Sequence, residues 1–211
     1  MQSYHSDIIE FSKQLATLPR TWNGMECVLE LKEADYNWRQ MEWFGWYFEF
    51  KARQVLKNVA TIPGDRHGNV NFDLKKHINW DLKASAKKIV ILNDQQAMDI
   101  SISATGVHGE IIALFDVEYD LNRSFQIWHT DLKGGKSVYE LEREGRTEKS
   151  RLRKVKATLK EIIFVVFKNN DLKTLSIMKQ GRNADGSSRK IKYKLDISKL
   201  DNYEHHSLKF D

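Results

Sequence analysis

Apolar and polar residues alternate through two neighbouring segments of residues 69–85, a pattern typical of half-buried strands. The apolar positions are Val70, Phe72, Leu74, Ile78, Trp80, Leu82 and Ala84. The few residues between the two segments can turn the chain back, so the pattern predicts a β-hairpin. With the apolar sides in one layer, the hairpin carries Asp73 next to Asp81 and Lys83, which places two carboxylates and an ammonium in one patch.

Other apolar patterns predict the rest of the framework. Residues 36–58 have apolar side chains at three- and four-residue spacings, which predicts a helix with aromatic residues on a second side. Residues 161–168 are a continuous apolar run, as in a central strand covered on both faces. Further strands are predicted at 87–94, 109–119, 175–181 and 189–197, and a short helix at 5–17. We therefore expect an α+β fold, with a mixed central sheet flanked by helices, in one domain spanning all 211 residues.

A highly charged segment runs from residue 138 to about residue 160, and its second part is mostly basic. Read as a helix, this part places four cations on one stripe at spacings of four, three and four: Lys149, Arg153, Lys156 and Lys160. Arg151 flanks the stripe. Cations on one rigid face can contact successive phosphates of a nucleic acid. A solvated charged face is the alternative interpretation.

Composition narrows the class of partner and the compartment. The net charge of +5 favours a polyanionic partner. The single cysteine, Cys27, cannot form an internal disulfide, and the N-terminal residues lack the pattern of a signal peptide, so we expect a cytoplasmic protein. The longest apolar run is too short for a membrane helix. Because phosphate-loop and dinucleotide motifs are absent from the sequence, we expect no nucleotide cofactor.

The predicted hairpin also carries a motif. An aspartate on one strand followed on the next by acid-any-lysine, here Asp73 and then Asp81-Leu82-Lys83, resembles the PD-(D/E)XK nuclease superfamily. The proline of that name is absent, since Phe72 precedes Asp73. The same tripeptide occurs at residues 131–133 and 171–173, but both of those copies adjoin turn sequences.

The resemblance implies a restriction-endonuclease-like core and, within the superfamily, a type II restriction endonuclease. Such an enzyme cuts double-stranded DNA at a specific sequence with Mg²⁺ and leaves 5′-phosphate and 3′-hydroxyl ends. In the site that the resemblance implies, Asp73, Asp81 and the main-chain carbonyl of Leu82 coordinate Mg²⁺. Lys83 then stabilises the charge that develops on the phosphate in the transition state.

Many nucleases of this superfamily complete the metal site with a glutamate from a helix ahead of the core strands. We assign this role to Glu42, because a carboxylate among tryptophans needs a cation or a donor nearby. Simple exposure of Glu42 is the alternative. Glu49 and Arg53 lie four residues apart further along the same helix, and we interpret them as an ordinary surface pair.

DNA contacts are expected around residues 129–160 and 180–192. The candidates are Lys149, Arg151, Arg153 and Lys156 from the basic stripe, and Arg182, Asn183, Arg189 and Lys190 from the second region. Arginine and asparagine can read base edges in the major groove. The residue types at 183–186 are also those that favour a tight turn, so a turn without any DNA contact explains this sequence equally well.

A two-fold symmetric DNA site is read most simply by a homodimer in which each subunit cuts one strand. The aromatic helix at 36–58 is a candidate for part of that interface, and burial in the core would explain it as well. Two alternative functions remain. One is a non-catalytic DNA-binding protein in which the acid-any-lysine motif is accidental, and the other is a less specific repair or recombination nuclease.

Overall fold

The computed structural model describes residues 4–64, 72–136, 141, 152–179, 181 and 187–210. The helices in these ranges are α1 (Tyr4–Leu15), α2 (Gly24–Glu33), α3 (Trp43–Leu56), α4 (Gln95–Thr105), α5 (Ser124–Leu132) and the short α6 (Asn169–Leu172), and a 3₁₀ segment spans Ile197–Asn202. The strands are β1 (Thr21–Asn23), β2 (Leu74–Lys75), β3 (Asn79–Ser85), β4 (Ile89–Asp94), β5 (Val107–Tyr119), β6 (Lys154–Lys168), β7 (Ser176–Met178), β8 (Lys192–Asp196) and β9 (Glu204–Lys209).

A mixed sheet forms the centre of the fold. Its strand order is β1-β6-β5-β3-β2, and β9 also pairs with β6. Strands β3 and β5 are parallel, and α4 lies between them in the chain, whereas the other pairs of this sheet are antiparallel. A smaller sheet has the order β4-β8-β7. The expected α+β class, with a mixed sheet flanked by helices, is confirmed.

Two hydrophobic cores cover the two faces of the main sheet. The first packs helices α1, α2 and α3 against side chains such as Trp80 and Phe164. The second packs α4 and the small sheet against Ile112, Ile163 and their neighbours. Successive residues of β6 from Ile162 to Phe167 enter the two cores alternately. This double burial confirms the prediction that the continuous apolar run at 161–168 is a central strand.

Helix α3 is buried in the first core. Trp43 and Phe48 are fully buried, and the indole Nε1 of Trp43 donates a hydrogen bond to the main-chain oxygen of Lys154 at 2.7 Å. The second aromatic side, which includes Trp46 and Phe50, is partly buried against the same core. Of the two explanations given for this aromatic helix, core burial accounts for its apolar character without a partner subunit.

The helix predicted across the basic segment is wrong for residues 154–160, which belong to β6. The cause is pairing with β5, which runs from Lys154 opposite Tyr119 to Lys168 opposite Val107. This long antiparallel ladder outweighs a local helical spacing, because the apolar residues at 155, 157 and 159 fit a period of two equally well. The basic side chains of this stretch therefore follow a strand and not a helical stripe.

A buried carboxylate fixes the turn that leads into β3. Asp7 of α1 is fully buried, and its Oδ2 atom accepts hydrogen bonds from Trp80 Nε1 at 3.1 Å and from the His77 main-chain N–H at 3.2 Å. The ring of His77 contacts the other carboxylate oxygen. These bonds tie the first helix to the start of the strand that carries Asp81 and Lys83.

No helix in the described part of the chain combines the length and apolar character of a membrane span.

Candidate metal centre

The candidate site lies where β3 and β5 run side by side. Along β3, Trp80 and Leu82 face the first core, so Asp81 and Lys83 point to the opposite face of the sheet. The parallel register places Asp81 opposite Glu110, and His108 lies two residues before Glu110 on the same face of β5. Asp81, His108 and Glu110 are all buried. Three side chains able to bind a metal therefore meet in the interior.

The three side chains converge on one point. One ligand atom of each lies within 4.8 Å of the others. The Nε2 atom of His108 is 3.1 Å from Asp81 Oδ2 and 3.5 Å from Glu110 Oε1, although neither contact is a hydrogen bond. Among the described residues, His108 Nε2 and Glu110 Oε2 have no hydrogen-bond partner. Because buried polar atoms are nearly always paired, this arrangement suits atoms that bind an ion.

Neighbouring polar groups orient these side chains. The Nδ1 atom of His108 lies 3.0 Å from the hydroxyl of Ser101 on α4, and the amide of Asn79 donates to the same hydroxyl at 3.2 Å. The amide of Asn93 donates to Asp81 Oδ2 at 2.8 Å. A histidine held at one ring nitrogen presents the other to a metal, which is the usual arrangement around protein metal sites.

Lys83 adds a positive charge beside the cluster. Its Nζ atom is 3.9 Å from Asp81 Oδ1 and 3.9 Å from Glu110 Oε2. Burial disfavours the charged ammonium, but the two carboxylates outweigh it and raise the pKa of Lys83 above its ordinary value. The side chain of Lys83 is 20% exposed. The ammonium of Lys83 is therefore favoured by its neighbours and partly accessible at this face.

Asp81 and His108 each shift the pKa of the other. Burial would raise the pKa of Asp81, but Lys83 and His108 hold it below its ordinary value. Burial also opposes a charged imidazole, yet the adjacent carboxylates of Asp81 and Glu110 raise the pKa of His108 to about 9. A metal ion that binds at Nε2 must displace the proton from that nitrogen.

Asp73 reaches the outer edge of β3 next to this cluster. Its Oδ2 atom accepts a hydrogen bond from the Leu82 main-chain N–H at 2.8 Å. The N–H and C=O of one strand residue point to the same side, so the Leu82 carbonyl faces the edge at which Asp73 lies. Burial raises the pKa of Asp73 to about 7; Lys83 opposes this shift, while Asp81 and Glu49 add to it. The structure thus brings Asp73, Asp81, Leu82 and Lys83 together.

The two glutamates of the α3 region have different surroundings. Glu42 immediately precedes α3, its side chain is 57% exposed, and it forms an ion pair with Lys154. The Glu49 side chain is only 13% exposed and accepts a hydrogen bond from the hydroxyl of Tyr36. Glu49 also contributes to the pKa shifts of Asp73 and Lys83, an effect that is not seen for Glu42. Glu49 is therefore the more buried of the two glutamates, and its charge bears on Asp73 and Lys83.

The structure describes four of the eight candidate DNA contacts. Arg153 is buried, which does not suit a surface contact, and Lys156 forms an ion pair with Glu118 at 2.7 Å. Arg189 and Lys190 are exposed, and the Nζ atom of Lys190 is 3.7 Å from Asp94 Oδ1. The other four candidates lie outside the described residues: Lys149, Arg151, Arg182 and Asn183.

Sequence reasoning missed His108 and Glu110. We began the predicted strand at Gly109, whereas β5 begins at Val107 and includes His108. The available signal was the two-residue spacing of a histidine and a glutamate just before an apolar run. That spacing predicts one shared strand face, but it does not reveal which strand lies alongside.

The chain is therefore an α+β protein whose buried Asp81, His108 and Glu110 can hold a metal ion. Comparisons with protein-family models, curated proteins and solved structures found no significant match. Its function must be argued from the chemistry of the site.

Proposed function

We propose that this protein is a divalent-metal-dependent endonuclease that hydrolyses phosphodiester bonds of double-stranded DNA, as a type II restriction enzyme does. One observation carries the proposal: Lys83 Nζ lies 3.9 Å from two buried carboxylates, Asp81 and Glu110, beside a cluster in which His108 Nε2 and Glu110 Oε2 have no hydrogen-bond partner among the described residues. Asp73 borders the same group of charges. Carboxylates that bind a metal next to a lysine are suited to a reaction in which negative charge builds up on phosphate oxygens.

Each residue has a defined task in this proposal. Asp73, Asp81 and the Leu82 carbonyl supply the oxygen ligands that Mg²⁺ prefers. The bound cation would polarise the scissile phosphate and lower the pKa of a water molecule at the site. Lys83, whose ammonium lies 3.9 Å from Asp81, would offset the negative charge that develops on the phosphoryl oxygens. The products are a 5′-phosphate and a 3′-hydroxyl.

The small sheet supplies a further cation at the rim of the site. Asn93 of β4 donates a hydrogen bond to Asp81. The next residue, Asp94, lies opposite Lys192 in the antiparallel register of β4 and β8. Burial lowers the pKa of Lys192, and the positive charge of Lys83 lowers it further. Two lysines beside the carboxylates favour a polyanionic substrate, in keeping with the net charge of +5. We include a homodimer in the proposal, because two subunits can cut both strands of a symmetric site.

Incubation of the protein with plasmid DNA of mixed sequence and Mg²⁺ tests the function. We expect discrete fragments on a gel, and no cleavage when EDTA removes the metal. A smear would contradict sequence specificity and indicate a less specific nuclease. DNA that is retarded but intact under all metal conditions would contradict hydrolysis and favour the non-catalytic DNA-binding protein.

Paired substitutions test which glutamate of the α3 region serves the site. We expect Glu49→Gln to lower the cleavage rate by about tenfold or more, because its charge acts on Asp73 and Lys83. We expect Glu42→Gln to cleave nearly as the unchanged protein does, since Glu42 is exposed and paired with Lys154. The measurement is the single-turnover cleavage rate of both variants. The reverse result would support the choice of Glu42 made from the sequence.

A further inference from the structure

We propose that Asp81, His108 and Glu110 form a binding site for a first-row divalent transition-metal ion and that this site favours Mn²⁺ over Mg²⁺. The inference deepens the proposed function by naming the ion class, and it shares Asp81 with the proposed Mg²⁺ ligands. Binding of the ion does not require that the protein cleave DNA, so the two proposals can fail separately.

The nitrogen of His108 is the main reason for this choice. Its Nε2 atom is fully enclosed, has no hydrogen-bond partner among the described residues, and is directed at Asp81 and Glu110. Mg²⁺ takes oxygen ligands and gives up its water reluctantly, whereas imidazole is a good ligand for transition metals. A nitrogen aimed into a buried group of carboxylates therefore discriminates between the two kinds of ion.

The carboxylates make the ligand set complete. Glu110 Oε2 is a second buried atom without a hydrogen-bond partner in the described part of the chain, and Asp81 lies between His108 and Lys83. One imidazole and two carboxylates match Mn²⁺, which favours carboxylate ligands and, as a transition-metal ion, also binds an imidazole nitrogen. The surrounding contacts are in place already: Ser101 holds the far side of the His108 ring, and Asn93 holds Asp81. Such supporting contacts are found around protein metal sites.

A different arrangement would explain the same side chains without a metal. A protonated His108 and the Lys83 ammonium carry two positive charges, which offset the two negative charges of Asp81 and Glu110. In that case the group is a buried ion network that only stabilises the fold. The network and the metal site predict different spectra, so an experiment can separate them.

The test is electron paramagnetic resonance of the full chain titrated with Mn²⁺. We expect one tightly bound Mn²⁺ per chain whose pulsed spectrum shows coupling to ¹⁴N, the signature of a directly bound imidazole. A tenfold excess of Mg²⁺ should leave most of this signal in place. Absence of ¹⁴N coupling in the unchanged protein would overturn the inference, and this measurement does not depend on the folding of any variant.

His108→Asn supplies the matched comparison. We expect loss of the ¹⁴N coupling and a fall in Mn²⁺ affinity of about 10- to 100-fold, with Mg²⁺ affinity changed by no more than about twofold. The control is His206→Asn on β9, because His206 is exposed and should keep both the coupling and the affinity. An unchanged ratio of Mn²⁺ to Mg²⁺ affinity in His108→Asn would contradict the inference. Nitrogen-bound Mn²⁺ in a protein that cuts no DNA would contradict only the proposed function.

Discussion

Lys83→Ala is expected to abolish DNA cleavage while DNA binding persists. The ammonium of Lys83 lies 3.9 Å from Asp81 and Glu110, where the proposed reaction builds negative charge on phosphate oxygens. Removing one such stabilising group costs about 100- to 1000-fold in rate for comparable sites. The rate should be measured in single-turnover assays with Mg²⁺ and again with Mn²⁺, and binding by gel retardation with Ca²⁺ in place of either ion.

The chain contains its own control for this substitution. Lys173 ends a second Asp-Leu-Lys sequence at residues 171–173, but it is exposed and directly follows the short helix α6. The Lys173→Ala variant should therefore cleave DNA at the same rate as the unchanged protein. If Lys83→Ala cuts at the same rate as Lys173→Ala, the catalytic site lies elsewhere on the molecule.

Gly109→Ala is expected to cause the largest loss of stability. A Cβ atom at position 109 would lie 2.2 Å from Cε3 of the Trp80 ring, well inside the contact distance. Trp80 has little freedom to move, because it is fully buried, contacts Phe11 and Phe164, and donates a hydrogen bond to Asp7. Overpacking of this kind costs about 1–3 kcal/mol of unfolding free energy, and occasionally more. Urea denaturation of the variant measures the loss.

Gly45→Ala is the matched control for this prediction. Gly45 lies in α3, and a Cβ atom there meets nothing within 4 Å. Alanine is favoured over glycine inside helices by up to about 1 kcal/mol, so the control should gain stability. Equal stability of the two variants would show that the register between β3 and β5 is wrong. The placement of Glu110 opposite Asp81 would then be wrong as well.

Short-range patterns predicted much of the framework. The alternation around Asp81 indicated a strand with Asp81 and Lys83 on one face, and β3 has this arrangement. Helix α3 and the central strand at 161–168 were also predicted from apolar spacing. These predictions succeeded because burial on one or two faces of an element leaves a period in the sequence itself.

Long-range pairing explains where sequence reasoning failed. Residues 154–160 have a spacing that suits a helix, but β5 offers a complete ladder of partners and the segment becomes a strand. Glu42 and Glu49 are seven residues apart in the sequence, the spacing of two helical turns, so periodicity ranks them equally. The tertiary structure distinguishes them, because Glu42 is exposed and pairs with Lys154, whereas Glu49 is largely buried and accepts a hydrogen bond from Tyr36.

The sequence by itself determined the α+β class and the strand that carries Asp81 and Lys83, because these depend on residues close together in the chain. The tertiary structure alone decided that His108 and Glu110 stand beside Asp81. Their meeting depends on the parallel pairing of β3 with β5 across the α4 connection. The pairing of two parallel strands depends on how the intervening helix packs onto the sheet. The hydrophobic pattern of either strand does not reveal which strand will be its neighbour.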